Sequence, residues 1–98
     1  MYEIELTESL FPPQTNGELR DITIGGLLRE TAEQFSDSIA IVDIALDGSP
    51  TQQWNYGELL TISEKLAMGL ASRFEPGERV SVWAPNIPTW LFIEYACA

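Results

Sequence analysis

The chain has 98 residues, 45% of them hydrophobic, which is enough for one small core, so it is one domain or part of one. Five Lys and Arg against 15 Asp and Glu give a formal net charge of -10, a balance that repels phosphate backbones and anionic lipid and makes both poor partners. There is no histidine, which removes imidazole bases, the usual catalytic triads and every His-containing metal motif.

From Met1 to Ile22 no periodicity is sustained, and Pro12-Pro13 with Asn16-Gly17 forbid a long helix. Residues 1–22 read as an extended arm anchored by Tyr2, Leu10 and Phe11, and the weak alternation of Met1 to Leu6 suits a short edge strand. Met1 to Leu10 carries Glu3, Glu5 and Glu8 without a basic residue, unlike a signal peptide. The longest nearly apolar run, at the end of the chain, is too short to span a bilayer and is interrupted by Glu94. A single cysteine, Cys97, excludes an internal disulfide. Together these features fit a reducing cytoplasm.

Thr23 is placed to cap a helix over 24–35, in which Ile24, Leu27, Leu28, Thr31 and Phe35 share one stripe despite the cost of Gly25 and Gly26 in its first turn. Ser36 to Ser38 turn the chain into Ile39 to Ile44, an apolar run broken only by Asp43 that reads as a strand. Asp47-Gly48 is a hairpin signal, Pro50 argues for a looser loop, and 51–54 is the returning strand. Asn55 followed by Glu58 has the form of a capping box, with Trp54 and Leu59 at the staple positions. The helix it opens is predicted over 56–74, burying Leu59, Ile62, Leu66 and Leu70, widened by Ala67 and Phe74, while Glu64, Lys65 and Arg73 face water.

Glu75-Pro76-Gly77 breaks that helix, and Val80 to Ala84 then reads as a strand covered on both faces, of the kind found in parallel sheets. Burial of Trp83 there implies a cost of roughly 3 to 5 kcal/mol for its removal. Asn86 is a potential N-cap and Pro88 is harmless in a first turn, so a helix is predicted over 87–98. It is apolar on nearly every side, with no glycine, lysine or arginine to close it, and so calls for burial all round. The expected class is α/β.

No constellation of these residues makes a catalytic, cofactor or metal site. Cys97 on an apolar helix reads as core packing. Asp43, Asp47 and Gly48 have the spacing of a calcium loop, but Ala45 takes a ligand position and Trp54 stands where a bidentate glutamate is required. Gly25-Gly26 matches neither the dinucleotide fingerprint nor a P-loop, and close packing is the plainer reading. The acidic surplus is spread along the chain as solvated faces, and Trp54, Trp83 and Trp90 read as core residues.

Trp54-Asn55-Tyr56-Gly57-Glu58-Leu59, then Leu66-Ala67 with Leu70, then Pro76-Gly77-Glu78-Arg79-Val80, then Ala84-Pro85-Asn86 and the aromatic helix, resemble in order and spacing the opening of the AMP-forming acyl-CoA synthetases of the adenylate-forming ligase superfamily. Upstream, Thr23-Ile24, Leu27-Leu28 and Ala32 to Phe35, leading into Ala40-Ile41-Val42-Asp43, are similar to that family's first helix and strand. The likeness covers about 23–98 and is nearest to the fatty-acid type. Asn55 departs from the family's usual threonine, with the same capping ability.

The resemblance implies that 23–98 is an incomplete N-terminal part of a large AMP-binding domain. In such enzymes a carboxylate attacks the α-phosphate of ATP to give an acyl-adenylate, from which CoA displaces AMP, with magnesium required. The phosphate loop, the adenosine-gripping set and the catalytic lysine of the family have no counterpart here, since Lys65 is the only lysine and lies outside any such motif. The matched positions are scaffold, and the chain alone is expected to be an inactive piece of a fatty-acid–CoA ligase. The alternatives are an interaction module that completes a separately encoded remainder or docks on an intact ligase, and a small standalone domain similar only in architecture.

Overall fold

A computed structural model describes residues 13, 15–17 and 19–98. The expected edge strand at Met1 to Leu6 and the anchors Tyr2, Leu10 and Phe11 lie outside the described residues. The described part of the arm forms neither helix nor strand.

Three helices and one hairpin follow: α1 (Ile24–Phe35), β1 (Ile39–Ile44), β2 (Pro50–Asn55), α2 (Tyr56–Ala71) and α3 (Thr89–Cys97). The α/β class is therefore as read from the sequence. Thr23 caps α1 as expected, its Oγ1 accepting from Gly26 N at 3.0 Å.

β1 and β2 pair antiparallel, with Ile41 opposite Trp54 and Asp43 opposite Gln52, and irregularities at both ends of the ladder. Their connection is tight: Gly48 donates to Ala45 O at 2.9 Å and Ala45 to Ser49 O at 2.8 Å. Gly48 takes φ +85°, a conformation that favours glycine. Pro50 is tolerated because it is the first residue of β2, where a missing N–H costs least.

α2 ends at Ala71 and not at Phe74, because Ser72, Arg73 and Phe74 close onto Met68 O and Leu70 O in a non-helical turn. Glu75 to Glu78 then forms a β-turn, Glu78 N donating to Glu75 O at 3.1 Å, with proline second and Gly77 third at φ +88°. α3 starts two residues later than predicted. Pro88, not Asn86, is its N-cap, with no side-chain cap bond, and Trp90 N reaches Ile87 O in a tighter first turn.

The largest correction concerns 80–84, which is not a strand. Among the described residues the only sheet is β1-β2, and no backbone hydrogen bond ties 80–84 to it. A strand exists only by pairing, so an apolar run without a partner edge stays an open extended segment. Trp83 is 103% exposed, opposite to the core position expected of it.

The core lies where α2 crosses the hairpin, α1 and α3. Leu28, Ile41, Leu59 and Phe92 are its buried centre, with Trp54, Ile62, Leu66 and Tyr95 packed around them. Trp54 meets Phe92 edge to face at a centroid distance of 5.3 Å. The α1 stripe is narrower than its periodicity suggested: Leu28 and Ala32 are buried while Ile24, Leu27 and Phe35 are exposed. α3 buries Phe92 alone, leaving Trp90 and Leu91 on the surface, and Cys97 is exposed and not in the core.

Candidate functional site

The start of α2 borders an open cleft of about 500 Å³ lined by Ser36, Trp54, Asn55, Glu58, Thr61 and Ile62. A helix N-terminus in a cleft invites the question whether its free amides hold an anion. All four have partners already. Asn55 N donates to Glu58 Oε2 at 3.0 Å, and Glu58 N to Asn55 Oδ1 at 2.7 Å, completing the expected capping box. Tyr56 N donates to Ser38 O at 3.1 Å and Gly57 N to Ser36 O at 3.0 Å. This end of α2 is a structural joint: two of its amides bind the turn between α1 and β1.

Glycine at position 57 is part of that joint, since a Cβ there would stand 2.6 Å from Ser36 Oγ. The sequence reading placed Gly57 only as a motif letter. Its signal was a glycine in the first turn of a helix, where intrinsic propensity disfavours it.

The other candidates are likewise occupied. At Gly26 an added Cβ would come within 3.0 Å of Ile22 Cγ1, and at Gly25 within 3.4 Å of the Ala98 backbone, so this pair serves close packing. Asp43 accepts from Thr51 Oγ1 at 2.7 Å. Asp47 accepts from Ser49 Oγ at 2.6 Å and Ser49 N at 2.9 Å. Those bonds, the hydroxyl's first and the amide's second, hold the Asp47 carboxyl below its ordinary pKa. Both aspartates thus stiffen the hairpin. Among the described residues no three of His, Cys, Asp and Glu gather into a metal-holding group.

Positive charge is dispersed. Arg20 pairs with Glu30, and Arg29 with Glu64 at 3.1 Å, all with exposed side chains. Lys65, Arg73 and Arg79 are also exposed. One polar group escaped the sequence reading: Ser63, 3% exposed at the meeting of α1, α2 and α3, whose buried Oγ has no hydrogen-bond partner. It stands on the helix face that was read as apolar.

Comparison with known proteins shows the family. The model of a family described as AMP-binding enzyme matches residues 28–98. The chain belongs to the AMP-binding enzyme family. It is 32% identical over 85 residues to the mouse mitochondrial medium-chain acyl-CoA ligase ACSF2, covering 86% of this chain and 13% of that protein. It is 32% identical over 84 residues to the putative acyl-CoA synthetase YngI of Bacillus subtilis (strain 168), covering 83% and 14% respectively. The zebrafish ACSF2 ligase is 31% identical over 94 residues, covering 95% of this chain and 15% of its own length. No solved structure matches the chain. The chain thus spans about 13 to 15% of the length of these relatives.

The acyl-CoA synthetase resemblance carried by the Trp54–Leu59, Pro76–Val80 and Ala84–Asn86 pieces is therefore confirmed. Among the described residues, those at the start of α2 do not fit ATP, magnesium or CoA. Phosphoryl chemistry needs preorganised cations and free amides aimed at one point, and here the α2 amides are spent on carbonyls and carboxylates while two arginines are spent on glutamates. No helix among the described residues is long and apolar enough to cross a membrane.

Proposed function

We propose that residues 23–98 are an N-terminal scaffold segment of an ATP-dependent carboxylate–CoA ligase working through an acyl-adenylate, with a fatty acid as substrate, and that the chain alone is inactive. The observation that carries this reading is the family match over 28–98, together with amides at the start of α2 that are committed to the segment's own fold. ATP, magnesium and CoA would be held by parts of the ligase outside these residues, and a reducing compartment such as the cytoplasm suits the single thiol of Cys97.

Two measurements test it. Carboxylate-dependent exchange of pyrophosphate into ATP by the purified chain is expected to be absent, and its presence would overturn the claim of inactivity. A chimera in which residues 23–98 replace the aligned segment of the Bacillus subtilis synthetase is expected to keep whatever adenylation that synthetase performs. A folded chimera without it would refute the scaffold role.

A second reading is favoured by the apolar surface left open at Ile44, Leu46, Trp83 and Leu91: the chain docks on a separately encoded ligase remainder. Co-expression with a ligase lacking this segment should then yield a soluble complex, and a dispersed monomer with no affinity for that remainder contradicts it.

A further inference from the structure

We draw no further inference here: the strongest candidate, the apolar groove between β1 and the start of α3 lined by Ile41, Val42, Ile44, Ile87, Trp90 and Leu91, carries nothing because nothing in the structure shows what covers it.

Discussion

Trp83→Ala separates the behaviour of this chain from that of the chimeric synthetase. In the chain Trp83 is fully exposed and its segment is unpaired, so truncation removes almost no buried contact. The expected change in unfolding free energy is within about 0.5 kcal/mol. At roughly 4 to 8 °C per kcal/mol for a domain of this size, the melting shift is at most about 4 °C. Urea unfolding followed by circular dichroism measures it, and acrylamide quenching reports directly on the exposed indole. In the chimeric synthetase, where 80–84 is expected to be covered on both faces, the same substitution is expected to cost about 3 to 5 kcal/mol. A loss above about 2 kcal/mol in the chain alone would show that Trp83 is already core there. A negligible loss in the chimera would refute burial of 80–84 by the remainder of that synthetase.

Four further outcomes follow from the same geometry. Leu59→Ala, at 3% exposure in the centre of the core, is expected to cost about 2 to 5 kcal/mol and to unfold a chain of marginal stability, as read by loss of its cooperative melt. Asn55→Ala removes the acceptor for Glu58 N and should cost about 1 kcal/mol, whereas Asn55→Thr should restore most of it; equal melts for all three would argue against the cap. Ser63→Ala deletes a buried hydroxyl without a partner and is expected to leave stability unchanged or raise it by about 1 kcal/mol; a clear loss would reveal a hidden hydrogen bond. Because the Asp47 pKa is depressed on folding, its contribution is fully present above the ordinary aspartate value and is lost as pH falls through the folded value. Nuclear magnetic resonance titration of its carboxyl should show that depression, and Ser49→Ala should move it back upward.

Local chemistry was legible from the residues themselves. Thr23 and the Asn55–Glu58 box each satisfy amides within their own turn, and Asp47-Gly48 and Pro76-Gly77 specify turns through backbone angles, so these features needed nothing distant. The family, too, was legible, because order and spacing of the Trp54–Leu59 and Pro76–Val80 pieces survive without any fold in view.

What only tertiary structure decided is which apolar surface finds a neighbour. Val80 to Ala84 has strand-like composition, but a strand is a relation between two backbones, and the described residues offer it no second one. Periodicity likewise named the apolar positions of α1 and α3 without saying that only Leu28, Ala32 and Phe92 of those helices would be buried. Ser63 and Gly57 show the converse: of these two residues without hydrophobic signal, one is buried and the other sits at a close approach, because small size matters only once another element lies against it. Caps and turns are settled over three or four residues of chain, whereas burial depends on elements brought together across it.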